Sequence, residues 1–394
     1  GSEIDIDNVV SIVANPDPTY KEYLDEWVVG MPDVYTSYLI RGTYYLRIAW
    51  AKRGEDYSSE TTKAQFEGMR EAQAVALQDI KKAIELNPKL TVAYSKLISI
   101  YSTSGSRKKK FDTLNQALTM NPASYIVRRD MLYFLLPRWG GSYSAIEEFL
   151  KDTEQYINDN KELAPLMGYL DYAKAWDTYS NKDYDETIKY TTAALKKGNK
   201  SFYYKKRAHA YYSLKDFESA IKDYSNAISV HKYNSDFFIW RAKAYKKIEQ
   251  PELALKDFQF AAILSPYDYS VRKHYAKELV SNKRYDEAIN SFKIALYYNH
   301  NDEDVLFRIA STYVRDLKQY DNALPFLKRL IEIDSEKAAY WYQYISALNS
   351  LRDCKVMDAI EKYLSLCSAP GDCFDDGVEW AEQTYDYLKR TYCK

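Results

Sequence analysis

The sequence predicts an all-α protein, a right-handed superhelical solenoid of antiparallel helix pairs that ends in a C-terminal capping helix. Two observations predict it. Between Ser201 and Ser335 a unit of about 34 residues recurs four times, the first three copies marked by a small residue, an aromatic four positions on and an alanine three after that, the fourth with leucines in the last two places. The copies are Ala220, Tyr224 and Ala227; Ala254, Phe258 and Ala261; Ala288, Phe292 and Ala295; and, after one extra residue, Ala323, Leu327 and Leu330. A matching pattern stands about 12 residues upstream of each: Arg207-Ala208 with Tyr211, Arg241-Ala242 with Tyr245, Tyr275-Ala276 with Leu279, and Ile309-Ala310 with Tyr313. Offsets of three and four place these residues on one helical face. Alanine there admits a second helix closely, and the ring fills the space between neighbouring pairs.

In chain order, residues 1–19 are polar and acidic with prolines at 16 and 18, and read as a flexible lead-in. Gly1-Ser2 reads as a cloning scar, from which a leader segment could have been removed. A helix is expected over Tyr20–Val29, stopped by Gly30 and Pro32, and a second over Ser37–Lys52, stopped by Gly54. Thr61–Leu86 reads as a long third helix, whose Ala76, Ile80 and Ala83 carry the second-helix pattern ahead of Pro88. Tyr94, Leu97, Ile98 and Tyr101, then Leu114, Ala117 and Pro122, form the next unit in phase, with Lys110 where alanine is usual. Met131-Leu132 and Leu135 continue the pattern until Pro137-Arg138-Trp139-Gly140-Gly141-Ser142 breaks it. A helix from Tyr143 to about Asn160 and a pair over about 164–198 follow. After the repeats, a last pair spans Ala338–Cys367, Pro370-Gly371 interrupts, and Phe374–Tyr392 is the cap that a solenoid needs. The chain therefore divides into a lead-in (1–19), an N-terminal helical domain with degenerate repeats (20–160), a regular array (161–367) and a capping helix (368–394), about nine pairs in all.

The recurring unit resembles the tetratricopeptide repeat (TPR), with alanine at the eighth, twentieth and twenty-seventh positions and an aromatic near the eleventh. The proline usual near the unit's end is present as Pro266 and replaced by Lys232, His300 and Ser335. The N-terminal third resembles a bacterial domain family of unknown function that often precedes such repeats. Its match rests on Pro32-Asp33, Arg41-Gly42, Tyr44-Tyr45, Ala49-Trp50, Arg53-Gly54, Leu135–Pro137 and Trp139-Gly140-Gly141-Ser142, over roughly residues 20 to 155. The resemblance implies a bacterial origin and brings no chemistry. Trp139 is expected to plug the solenoid at its glycine turn.

Bulk composition excludes several classes. Lysine and arginine number 55 against 56 aspartate and glutamate, so no global field draws the chain to nucleic acid or membrane. There is no apolar run of about 18 residues to span a bilayer. The 40 tyrosines are read as packing slots of helix pairs. No glycine occurs between Gly198 and Gly371, which removes phosphate-cradling loops from the array. His209, His231, His274 and His300 fall in different units, and no metalloprotease helix, nucleophile elbow or phosphate loop is present. Catalytic residues, cofactors and metals are accordingly not expected.

Cys354, Cys367, Cys373 and Cys393 lie at the C-terminal end with spacings that do not suit zinc. If the last two helices are antiparallel, Cys367 and Cys373 flank their turn and Cys354 meets Cys393 at the far ends. That pairing implies an oxidising, periplasmic or secreted location; the alternative is four reduced thiols in a cytoplasmic protein.

In tetratricopeptide repeats the second, fifth, ninth and twelfth positions of the first helix face the groove. Here these are Phe202, Lys205, His209 and Tyr212; Asp236, Ile239, Lys243 and Lys246; Ser270, Lys273, Lys277 and Val280; and Asp304, Phe307, Ser311 and Val314. With Trp240 and His274 beside them, the lysines suit an extended acidic protein or peptide segment. Asparagines needed by the carboxylate clamp of some repeat proteins are replaced by His209 and Trp240. The expected function is a non-catalytic interaction scaffold. A glycan-binding solenoid and an enzyme with a pocket around Tyr44, Tyr45, Trp50 and Arg53 are the rivals.

Overall fold

A computed structural model describes residues 2–14, 16–17, 19–54, 61–367, 373, 375–391 and 393. Among these residues the protein is all-helical, with twenty-one α-helices and no strand, and no helix is long and apolar enough to cross a membrane. Two compact units divide after Lys232, between helices of the array expected over 161–367.

The first unit holds α1 (Glu3–Val13), α2 (Tyr20–Gly30), α3 (Tyr35–Arg53), α4 (Lys63–Leu86), α5 (Thr91–Thr103), α6 (Arg107–Met120), α7 (Tyr125–Phe134), α8 (Tyr143–Glu154), α9 (Tyr169–Ser180), α10 (Tyr184–Lys197), α11 (Ser201–Ser213) and α12 (Phe217–Val230). From α3 onward these form five successive pairs. The helix expected to run from Tyr143 to about Asn160 ends at Glu154. A 3₁₀ segment, Lys161–Gly168, with Pro165 inside, then leads into α9.

Residues 3–17 are not the loose lead-in expected from their acidity; most of them form α1. Ser2 and Asp5 make a reciprocal cap at its start. Glu3 accepts from the Thr91 hydroxyl at 2.9 Å, the Ser124 hydroxyl at 2.6 Å and the backbone N–H groups of Tyr125 and Ile126. It thereby caps the start of α7, where a carboxylate is favoured. Asp7 is buried between Lys96 of α5 (2.6 Å) and Arg129 of α7 (3.2 Å). Burial pushes its carboxyl up, but the two cations outweigh that and hold it below its ordinary value. The acidity that suggests a free tail is the charge complement of a basic seat.

The second unit holds α13 (Ser235–Lys247), α14 (Pro251–Leu264), α15 (Tyr269–Ser281), α16 (Tyr285–Tyr298), α17 (Glu303–Ser311), α18 (Tyr320–Ile333), α19 (Ala338–Leu351), α20 (Val356–Leu366) and α21 (Asp375–Thr391). Four pairs are followed by a cap. After α17 the chain continues through a π-helical turn, Thr312–Leu317. The extra residue of the fourth sequence copy is absorbed there, as a wider turn inside the first helix. Disulfides join Cys354 to Cys393 and Cys367 to Cys373, with Cα atoms 5.5 and 5.4 Å apart. They tie α21 to the pair before it, beside a core that includes Tyr363, Ala381 and Leu388. The break at Pro370-Gly371 and the helix ends expected at Phe374 and Tyr392 lie outside the described residues.

The patterned alanines 208, 220, 227, 242, 254, 261, 276, 288, 295, 310 and 323 are all fully buried, as are Tyr224, Phe292, Leu327 and Leu330. Inside two pairs an arginine of the first helix grips an aspartate of the second with both arms. Arg207 meets Asp223 at 2.7 and 2.9 Å, and Arg241 meets Asp257 at 2.7 and 2.8 Å. In the N-terminal domain Arg41 holds Asp79 in the same way at 2.8 and 2.7 Å. The aspartates are nearly solvent-free, so each needs its fork.

Arg241→Met strands Asp257 and is expected to cost about 3 kcal/mol of unfolding free energy. The double change Arg241→Met with Asp257→Leu is expected within about 1 kcal/mol of the parent. Asp7→Asn leaves Lys96 and Arg129 facing each other and is expected to lower the first unit's thermal midpoint. Calorimetry and hydrogen exchange across α1, α5 and α7 check these outcomes.

Candidate interaction surfaces

The groove residues expected from the sequence fall into two groups, because the division between units passes through them. Phe202, Lys205, His209 and Tyr212 lie in the first unit, and the rest lie in the second. Ile239, Ser311 and Val314, also expected to face a groove, are buried.

In the first unit, rings and cations alternate along one continuous path. Trp50 at the end of α3 meets Trp139 edge-on at 6.2 Å, and Trp139 meets Tyr133 at 5.8 Å. Arg138 lies over Tyr133 at 5.1 Å and over Trp176 of α9 at 3.9 Å. The ammonium of Lys206 on α11 sits 3.2 Å from the centre of the same indole and 4.5 Å from that of Tyr179. Tyr179 then packs on His209, and His209 on Tyr224. Phe202 packs on Tyr172 at 5.0 Å, and Tyr212 meets Phe217 at 5.3 Å. Trp139 is half-buried and touches Trp50, Tyr133 and Phe134, so it is one link of this path.

Lys206 is only 6% exposed. Burial, then the charges of Lys205 and Arg138, push its ammonium down to about 7. Among the described residues no carboxylate pairs with it. Acids on the helices packed against α11 are engaged elsewhere: Asp171 with Lys197, Asp177 with the Tyr143 hydroxyl, Asp223 with Arg207 and Glu186 with Lys189.

A cavity of about 270 Å³ opens in the same unit, lined by Trp50, Ser95, Lys96, Ser99, Asp130, Tyr133 and Phe134. Its charged groups are paired. Lys96 holds Asp7, while Asp130 is held by Arg129 at 2.6 Å and accepts from the Ser95 hydroxyl. Of the pocket residues expected from sequence, Trp50 alone lines this cavity. Tyr44 is buried in the core of α1, α3 and α5, where burial pushes its hydroxyl up to about 12, and Arg53 lies against Trp50.

In the second unit Lys243, Lys277, Lys273 and Lys246 converge on His274. After burial, these four charges push its imidazole down to about 4, and the ring lies parallel to Phe258 at 6.0 Å. His274 is therefore neutral at pH 7 and belongs to the wall rather than to the charge. Three of the lysines are already in ion pairs with first helices further along. Lys246 meets Glu278 at 2.6 Å, Lys273 meets Asp302 and Asp304 at 3.0 Å each, and Lys277 meets Asp304 at 2.9 Å. Asp304 also takes Arg308 at 2.8 Å. Burial raises its carboxyl, but these cations prevail and hold it far below the usual carboxylate range. Lys243 lies over the Trp240 ring at 4.4 Å, and Phe307 packs on Tyr340 at 5.7 Å. Sequence reasoning placed the lysines and Asp304 on the groove face but did not pair them, and it missed Glu278 and Asp302. Asp302 and Asp304 stand in the next unit of the period, at positions a repeat alignment reads separately. It also missed Arg138, Trp176 and Lys206, although Trp176 and Tyr179 stand 33 residues before His209 and Tyr212.

Among the described residues no cluster of histidine, cysteine, aspartate or glutamate is arranged to hold a metal.

Comparison with known proteins agrees with this geometry. Residues 2–108 and 103–155 match a domain of unknown function, DUF4034, and residues 168–352 match a tetratricopeptide repeat family. No curated protein matches the chain. Among solved structures, YrrB, titled a TPR protein with an unusual peptide-binding site, is 22% identical over 48% of this chain and 94% of its own, with a TM-score of 0.39. The C-terminal part of a TPR repeat-containing protein from Cytophaga hutchinsonii is 21% identical over 55% of this chain and 88% of its own, with a TM-score of 0.48. The TPR domain of P58(IPK) is 16% identical over 82% of this chain and 95% of its own, with a TM-score of 0.29. Residues 168–352 are tetratricopeptide repeats, and residues 2–155, ahead of them, match the domain of unknown function DUF4034.

Proposed function

We propose that the protein is a non-catalytic interaction scaffold that holds an extended, acidic segment of a partner protein against the first helices of its repeats. The observation that carries this reading is the convergence of Lys243, Lys246, Lys273 and Lys277 around His274, beside the Trp240 ring. Carboxylates of an incoming segment compete there with Glu278, Asp302 and Asp304 for the same ammonium groups. The exchange conserves ion pairs and lets Trp240 pack against apolar atoms of the segment.

The two disulfides of the cap support an extracytoplasmic location, since such bonds persist in oxidising compartments. The second reading, glycan binding, has its own support in the cavity of the first unit. Trp50, Tyr133 and Phe134 offer ring faces there, and Ser95, Ser99, Lys96 and Asp130 offer hydrogen bonds.

The first experiment is affinity capture from lysate and envelope fractions of the source organism, at low and at physiological salt, read by mass spectrometry. A salt-sensitive protein partner is the expected result. With that partner, Lys243→Glu is expected to weaken binding about tenfold and to flatten its salt dependence. Asp304→Asn relieves Lys273 and Lys277 of one competitor and is expected to tighten binding severalfold. Unchanged affinity in both variants would remove the lysine cluster from the interface. A glycan array that binds while no protein is captured would replace this reading with the second. Four alkylated thiols in unreduced protein from its native source would overturn the location.

A further inference from the structure

Helix α1 belongs to no pair, yet it lies against the first helices of three of them, α3, α5 and α7. Counted from the start of each first helix, Ser95 and Ser99 of α5 and Arg129 and Tyr133 of α7 hold the fifth and ninth positions, those that face the groove in tetratricopeptide repeats. Glu3 and Asp7 of α1, four residues apart and so on one helical face, reach this row. Glu3 caps α7 and accepts from Thr91 and Ser124, and Asp7 bridges Lys96 at 2.6 Å and Arg129 at 3.2 Å. Val10, three residues on, is buried as well, and Ile4 and Ile6 pack against two cores of the first unit. The hold is otherwise slight. Of eleven helical residues only Asp7 and Val10 are buried, while Val9, Ile12 and Val13 are exposed. Nor does α1 fill the space it enters. The cavity of about 270 Å³ opens beside Lys96, between Ser95, Ser99, Trp50 and Tyr133, and no residue of α1 forms its wall. The seat nonetheless needs an acid. Among the described residues Asp7 is the one ion-pair partner of Lys96. The half-buried guanidinium of Arg47 on α3 has no ion pair among the described residues, and the charge of Asp7 offsets its burial. A carboxylate that leaves this seat has to be replaced by another.

We propose that this seat is a binding site for an acidic amphipathic helix of a partner protein, and that α1 is the chain's own occupant of it, exchanged for the partner helix on binding. The inference extends the interaction reading to the first unit and makes no use of the lysine cluster of the second. The pattern of α1 defines what fits. A first carboxylate meets the start of α7, a second, four residues later, enters between Lys96 and Arg129, and an apolar side chain follows three residues after that. A partner helix gains over α1 by placing a ring in the cavity, against Trp50 and Tyr133, where no side chain of α1 reaches. Attachment to the chain gives α1 a local concentration on the order of millimolar, so a free helix of equal fit competes poorly until α1 is weakened.

The test uses a blocked, fluorescent peptide of residues 3–14 with the full parent chain and with its double variant Glu3→Gln, Asp7→Asn, designed to release α1. Binding is read by anisotropy and by the thermal midpoint of the first unit. Expected are saturable binding to the variant with recovery of its midpoint, and about tenfold weaker binding to the parent, whose own α1 competes. A peptide with both acids neutralised is expected not to bind, and Arg129→Gln added to the variant is expected to abolish binding. A folded variant that the peptide does not bind would overturn the site. Equal binding to parent and variant would overturn it too; if Lys243→Glu then weakened that binding, the peptide would sit on the lysines of the second unit, and the scaffold reading would stand without this seat. Circular dichroism checks the variant's fold. If the variant does not fold, hydrogen exchange in the parent decides. Amides of α1 that exchange about tenfold faster than those of α5 and α7 support an exchangeable occupant, whereas exchange in step with them makes α1 a fixed part of the fold and overturns the proposal. A parent that dimerises with rising concentration, with α1 protected only in the dimer, would replace the partner protein by a second copy of this chain.

Discussion

The structure depends on how closely two helices can approach. At most of the contacts in the recurring units the side chain is a methyl group, and the alanines of both helix patterns are fully buried. A larger side chain at Ala220 or Ala254 would push the pair apart and open the slot that Tyr224 or Phe258 fills, at about 1–3 kcal/mol for each added bulk. With the separation set by alanine, the remaining features have little freedom. The rings bridge to the next pair, the turns must be short, and the first helices stand in a row.

The short turns carry a cost that sequence reading does not reveal. Lys182, Lys215, Glu249, Lys283, Lys318 and Arg352 all adopt left-handed backbone, each at the turn inside a pair, and none is glycine. Their long polar side chains remain in solvent there. Packing of two helices along their length outweighs about 1–2 kcal/mol of backbone strain at each turn.

Much of the fold was legible because its determinant is periodic and local. The alanine and aromatic positions recur in phase, and the one irregular spacing, before Ala323, marks the π-helical turn after α17. What was not legible is pairing over distance. Glu3 and Asp7 look like tail acidity, because nothing in the sequence ties them to Ser124 or to Lys96 and Arg129, about 90 to 120 residues away. The lysines of the second unit look like open cations for the same reason, since their partners Asp302 and Asp304 belong to another unit of the period. The Arg207–Asp223 and Arg241–Asp257 grips could have been read, since both members recur at 34 residues, the aspartate one place before the conserved ring position.

These two kinds of ion pair differ in their bearing on how the array can change length. The arginine–aspartate grip closes inside one helix pair, so a pair carries its own neutralisation wherever it is inserted. The lysine links run between pairs, from α13 to α15 and from α15 to α17. Excising α15 and α16 would leave Lys246 without Glu278, and Asp302 without Lys273. Growth by duplicated pairs is therefore compatible with the first kind of link, whereas the second fixes the order of neighbours. In the second unit the helix pairs are not interchangeable beads but numbered ones.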